Sequence, residues 1–400
     1  MLENSLWINK RKFVLFYVII NLIYLIELLP NLGRPLPITF SSRKILLVLL
    51  FIAIAVVVCR HRIRKNSIST LFLIMSCYCF FITVMNRNIQ QQPMYYYCTA
   101  TMYPWIITYI SERLFQSFKY IEEIDRVWKF ISIFSLLYSF LLFQYKANTS
   151  IILTASGEAS IYYILTLLPF ILCCNGKFRN VLLTLLIIAV FVALKRTALI
   201  AITASIFAYL LVRFKNRDER KFRLVIYALL SVVLVIIIYQ LVVKYTGNDV
   251  IAKILSTEED GGSNRDYIYA EVIKNFKSIS LSQKILGIGY NGVRYSYNIV
   301  SAGTVVSAHN DFLEVLCDYG IIGMLFYLGF VIKILRKFIS LKRIGSPYAP
   351  AMAAALVIFF VLSMFSHLLI YTSYFMNLLI FFVMMEHIAD QSREGERFDI

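Results

Sequence analysis

The 400-residue chain is 60% hydrophobic and only 16% charged, with a mean hydropathy of +0.72. A soluble domain carries about 25% charged residues, so a water-soluble fold of this length could not hide that much apolar surface. The net charge of +17 would suggest nucleic acid in a soluble protein. Here the basic residues fall in short clusters between apolar runs, with neither an RNP-like nor a zinc-ligand pattern, and a nucleic-acid partner is excluded.

The apolar runs are about 17–22 residues long, the length that crosses roughly 30 Å of hydrocarbon. They are continuously apolar, without the alternation of barrel strands, so they satisfy their backbone groups as helices. The fold class expected is an all-α polytopic membrane protein, with 1–400 forming a single integral domain. Lys10-Arg11-Lys12 precedes the first run, and no small-residue cleavage site follows, so this segment reads as an anchor and not a signal peptide. Twelve spans follow, at about 13–30, 44–59, 68–85, 94–110, 128–144, 159–174, 180–195, 197–212, 224–243, 310–332, 348–366 and 369–388. The positive-inside rule sets their direction. Basic clusters at Arg60–Lys65, Arg113–Arg126, Lys177–Arg179, Arg213–Arg223 and Lys333–Arg343 alternate with weakly charged loops. With twelve spans all the strong clusters are cytoplasmic, together with both termini; eleven spans would put one of them outside. The seven cysteines form no CxxC pair and read as small buried hydrophobes.

One connection is long. Residues 244–308 are mixed in charge and extracytoplasmic in this topology, and long loops are uncommon without a function. Ser263-Asn264-Arg265-Asp266 has the look of a helix start. Tyr269, Val272, Ile273 and Phe276 then recur at i, i+3, i+4, i+7, one apolar face suited to the bilayer surface or to the helical bundle. Gly287-Ile288-Gly289-Tyr290-Asn291-Gly292 matches GxGxxG without a βαβ setting, so it reads as a glycine-permitted turn and not a dinucleotide site.

His309 opens a span at the external surface and is followed by Asn310 and Asp311. Asn310, Glu314 and Asp318 recur every four residues and share a helix face, with Glu314 about 6–8 Å below His309 at 1.5 Å per residue. Acidic groups at that depth are expensive, and they mark either a functional cavity or structural polar contacts between helices. Lys195-Arg196 lies at a tight external turn, against the charge trend. It either snorkels to headgroups or clamps an anion, and Arg265 and Arg294 could reach the same place. A planar guanidinium bonds two phosphate oxygens at once. One imidazole able to act as base, with arginines able to hold a diphosphate, suits sugar transfer from a lipid diphosphate. Arginine supplies the charge, so no metal or cofactor is required, and no DxD-like or HExxH-like motif is present.

His309-Asn310-x-x-Leu313-Glu314 followed by Gly320-Ile321-Ile322-Gly323 resembles the signature of the O-antigen polymerase and ligase superfamily. Lys195-Arg196-Thr197-Ala198-Leu199 is similar to the family's S-R-T-A-L turn, with Lys for Ser. Arg265 opens a helix ending in Phe276, as in the family's long loop, and Leu286-Gly287-Ile288-Gly289 resembles its L-G-x-G stretch. The likeness covers roughly 150–335. It implies a GT-C-like helical glycosyltransferase in the bacterial inner membrane, with His309 as catalytic base and Arg196 and Arg265 binding undecaprenyl diphosphate. Arg294, Asn310 and Glu314 join the site on the chain's own residues. The implied partners are an undecaprenyl-diphosphate-linked oligosaccharide, membrane lipid, a chain-length regulator and a flippase. A polymerase is favoured over a ligase, because the L-G-x-G and HNxxLE pieces resemble that branch. A lipid-linked oligosaccharide transporter is the alternative of another class.

Overall fold

The computed structural model describes residues 15–19, 42–60, 64–86, 92–115, 158–174, 176–192, 196–213, 257–301, 304–369 and 372–398. The predicted spans at 128–144 and 224–243, and most of 13–30, lie outside these residues. The described chain is helical except for one two-residue hairpin, in which Val300 pairs with Val305 and Ser301 with Thr304. The first helices are α1 (Ser42–Arg60), α2 (Ile68–Met85) and α3 (Met94–Phe115). α2 has the bounds the sequence predicts. Ser67 caps it by accepting the Thr70 N–H at 3.1 Å.

The predicted span 159–174 divides into α4 (Glu158–Leu165) and α5 (Leu168–Cys173). Pro169 starts the second helix at a position where its missing N–H costs nothing. At the break the Thr166 hydroxyl donates to the Tyr163 carbonyl at 2.6 Å and accepts from Asn377 Nδ2 at 3.2 Å, while Tyr17 donates to Asn377 Oδ1 at 2.7 Å. A buried polar network thus fills the gap in the helix. α6 (Lys177–Val192) and α7 (Arg196–Arg213) follow.

The long connection is ordered from α8 (Thr257–Ser278) through α9 (Leu281–Leu286) to a π-helical turn at Val293–Tyr297. α8 begins six residues before the predicted start, but Asn264 inside it is left-handed at φ 57°. Ile268 and Val272 are buried against Val293, Ile299, Ala308 and Cys317, with Tyr269 and Phe276 beside them. Ile273 is exposed, so the buried face is rotated from the predicted one and rests on the protein.

α10 (Asp311–Arg343), α11 (Ala349–Phe365) and α12 (Thr372–Phe398) complete the described chain. Among the described residues, α2 and α10 are long and apolar enough to cross a membrane. Several others, such as α11, are apolar but shorter. Apolar helices of this kind are compatible with a membrane protein. Phe72, Phe330, Phe359 and Phe375 tie α2, α10, α11 and α12 together, with ring centroids of 4.8 Å for Phe72–Phe330 and 5.7 Å for Phe330–Phe359. Rings in offset and edge-to-face contact add to the area they bury. Of the described cysteines, Cys79, Cys174 and Cys317 are buried as expected, while Cys77 is exposed.

α10 is the element that builds the site, and it is not one continuous helix. Gly320 sits at φ 64°, ψ −168°, and breaks it. A kink leaves carbonyls without helical partners, and the glycine-rich turn supplies them. Ile288 N–H donates to the Cys317 carbonyl at 3.1 Å and Gly289 N–H to that of Asp318 at 2.8 Å. The Tyr78 hydroxyl reaches the carbonyls of Leu286 and Tyr319 at 2.9 and 3.1 Å. The approach is so close that a Cβ on Gly287 would meet the Asp318 carbonyl and one on Gly320 that of Ile285. Both glycines also have positive φ, a conformation that costs other residues about 1–2 kcal/mol.

Candidate active site at the mouth of the kinked helix

The first two turns of α10 carry three buried carboxylates, Asp311, Glu314 and Asp318. Each fastens a different chain segment by accepting backbone N–H groups. Asp318 accepts from Asn291 at 2.6 Å and Val293 at 3.2 Å, which fixes the end of the glycine-rich turn. Glu314 accepts from Ala308 at 2.7 Å. Asp311 accepts from Leu368 at 3.1 Å and Leu369 at 3.3 Å, and so draws in the connection between α11 and α12. Glu314 and Asp318 help line a cavity of about 30 Å³.

The result is a small histidine-bearing mouth. His309 is left-handed at φ 52°, uncommon for a residue with a Cβ and found where surrounding structure enforces it. The Glu314–Ala308 bond holds it from behind, and Asn310 caps the helix from in front. Asn310 Oδ1 accepts from Phe312 at 2.9 Å and Leu313 at 3.1 Å. The Tyr269 hydroxyl, on α8, donates to the carbonyls of His309 at 3.3 Å and Met364 at 2.9 Å. This joins the long connection, the mouth of α10 and the end of α11. Burial raises the Tyr269 pKa, and the charge of Arg265 opposes that rise.

The imidazole of His309 lies against a second one. The His309 and His367 ring centroids are 4.3 Å apart with the planes inclined at 36°. His309 is half-buried and His367 only 6% exposed. Burial first, then repulsion from His309, Arg265 and Arg294, pushes His367 down to about 3. Both arginines therefore lie within electrostatic reach of the histidine pair. Arg265 is half-buried, and Arg294 is exposed with its guanidinium 6.0 Å from the Tyr295 ring centre.

Of the residues expected from the sequence, His309, Asn310, Glu314, Arg265 and Arg294 fall in one neighbourhood. Arg196 is the first residue of α7, and its side chain lies outside the described residues. Glu314 meets the histidine segment through the Ala308 backbone. His367 gives no signal in the sequence, because a histidine after an apolar run carries no periodic pattern. Its approach to His309 depends on Asp311 gripping Leu368, a contact 57 residues apart in sequence.

The described chain thus combines membrane-type apolar helices with a packed histidine pair that two arginines reach electrostatically, at the mouth of the helix that kinks at Gly320. Residues 181–328 match the family described as O-antigen ligase, as expected for the O-antigen ligase and polymerase superfamily. The matched stretch, under half of the chain, includes Arg196, Arg265, Arg294, His309 and Glu314 and ends before His367. It indicates a function of the ligase or polymerase type, acting on a lipid-linked polysaccharide substrate in a membrane. No curated protein matches the chain.

Proposed function

We propose that this chain is a polymerase. It would join oligosaccharide repeat units carried on undecaprenyl diphosphate, at the extracytoplasmic face of the bacterial inner membrane. The observation that carries the proposal is His309, held in a left-handed turn at the mouth of α10, against His367 and within reach of Arg265 and Arg294. His309 takes the proton from an acceptor hydroxyl as the oxygen attacks the anomeric carbon of the donor sugar. The bond from that carbon to the diphosphate breaks, and the lipid diphosphate leaves with the electron pair. Arg265 and Arg294, with Arg196 from α7, hold its growing negative charge, as fixed donors do in other group transfers. His367 stays neutral and gives the histidinium that forms on His309 a polarisable neighbour. Glu314 acts as a positioning residue through Ala308, and Asn310 fixes the turn. The chemistry asks for no metal or cofactor. Twelve spans with both termini cytoplasmic put this mouth outside, where a flippase would deliver donors and a chain-length regulator would meet the product.

The family description of residues 181–328 favours a second reading, a ligase moving finished polymer to a lipid A core. The cellular product of a deletion strain separates the two. Loss of a polymerase leaves surface glycan capped at one repeat unit, or removes high-molecular-weight capsule. Loss of a ligase leaves long polymer on undecaprenyl diphosphate with none on lipid A. A full-length ladder counts against both. A transporter would leave lipid-linked oligosaccharide unconverted by the purified protein in detergent.

A further inference from the structure

The other end of α10 carries a second feature, which neither chemistry nor positioning at His309 uses. α2 and the far part of α10 enclose a groove of about 730 Å³. On α10, Ile332, Arg336, Ile339 and Arg343 line it at i, i+4, i+7 and i+11, one stripe of the helix, and all four are exposed. Leu71 and Ile74 face them from α2. The groove thus carries apolar side chains from both helices among polar ones, with Asn66, Ser67 and Thr70 on one side and Lys333, Lys337, Ser340 and the guanidiniums on the other.

Charge is not balanced within it. Lys333 pairs with Glu386 at 3.3 Å and Lys337 with Asp390 at 2.6 Å, so both lysines are drawn toward α12. Lys333 also donates to the Asn66 carbonyl, and Arg64 shares Asp390 at 2.9 Å. Among the described residues, Arg336 and Arg343 form no ion pair. The depth of these two is fixed by the helix. Sixteen residues separate Arg336 from the kink at Gly320, about 24 Å at 1.5 Å per residue. That approaches the thickness of the hydrocarbon core. In a bilayer with His309 at one surface, Arg336 and Arg343 stand at the headgroups of the other, while Ile74 and Ile332 point into the acyl region.

We propose that this groove binds one anionic phospholipid of the leaflet opposite the histidine mouth. Its phosphate lies between Arg336 and Arg343, whose planar forks each bond two oxygens, and an acyl chain lies along Ile74 and Ile332. Basic pockets between membrane helices recognise acidic headgroups in this way. The site rests on the membrane reading alone and does not depend on which sugar transfer the protein performs.

The test is native mass spectrometry of the full-length protein in detergent, titrated with phosphatidylglycerol or phosphatidylcholine of identical acyl chains. One phosphatidylglycerol is retained in preference to phosphatidylcholine. R336Q/R343Q retains it roughly tenfold less, as loss of charged hydrogen bonds predicts. I332Q, which keeps both arginines, weakens retention of both lipids. Equal retention of the two lipids by the wild type overturns the proposal. So does undiminished phosphatidylglycerol on the double variant, or displacement by millimolar inorganic phosphate, which would make the groove a site for free phosphate. Both arginines are exposed, so the double variant should melt at the wild-type temperature, and a folding defect is read separately from lipid loss.

Discussion

His309 is held in place by side chains that grip the backbone of its own segment. The Glu314 carboxylate grips the residue before it, the Asn310 cap fixes the residue after it, and Tyr269 holds its carbonyl. His367 completes the pair, and its burial has a measurable consequence. It titrates at about 3 in the fold against an ordinary value of 6.5. Between those two values the unfolded chain binds more protons than the folded one. Stability therefore rises with pH across that window and is flat above it. Thermal melts in detergent from about pH 8 to about pH 5 should show the wild type losing stability on acidification below about 6.5. His367→Gln should lose less over the same range. Superimposable profiles would mean that other groups carry the acid sensitivity.

At the scale of elements, the kink in α10 explains why the glycine motifs stand where they do. L-G-I-G and G-I-I-G are far apart in sequence, yet the first fills the hydrogen bonds that the second breaks. Gly320→Ala and Gly287→Ala each put a Cβ against backbone at positive φ. Each should lower the melting temperature and the amount of protein in the membrane, by about 1–2 kcal/mol of strain plus the clash. Gly329→Ala, in the same helix but with nothing within 4 Å of its Cβ, should melt like the wild type. Equal loss at Gly329 and Gly320 would remove the kink from the account. Much of this region was legible in the sequence, since His309, its helix and the turn of Gly287–Gly292 announce themselves by local pattern. The break at Gly320 was not, because the apolar run continues through it and a single glycine does not distinguish a kink from close packing. Glu314 and Asp318 were legible, with Asn310, as one helix face. That Asp318 holds the glycine-rich turn and Asp311 the connection between α11 and α12 depends on long-range contacts which periodicity does not encode. The end of α10 was underestimated for a related reason: hydropathy fades after Ile332, while Lys333, Arg336 and Lys337 keep good helix propensity to Arg343.

For the whole molecule, the account needs the histidine mouth and the basic groove on opposite sides of one membrane. The proposed topology, read from basic-loop asymmetry, predicts positions 265 and 294 outside and 217 and 393 inside. Single cysteines at these positions, in a background without the natural seven, should follow that division with an impermeant thiol reagent on intact spheroplasts. Protection of 265 or 294 until lysis would invert the map and place the mouth in the cytoplasm.

The central claim is that His309 removes the acceptor proton while external arginines hold the departing lipid diphosphate. Purified full-length protein in detergent, supplied with an undecaprenyl-diphosphate-linked oligosaccharide, measures this without help from other membrane components. The wild type should yield a ladder of longer lipid-linked chains. His309→Ala, folded to the same melting temperature, should lose about 10²–10⁴ of that rate, the usual worth of a placed general base. A near-normal ladder from His309→Ala would contradict the account.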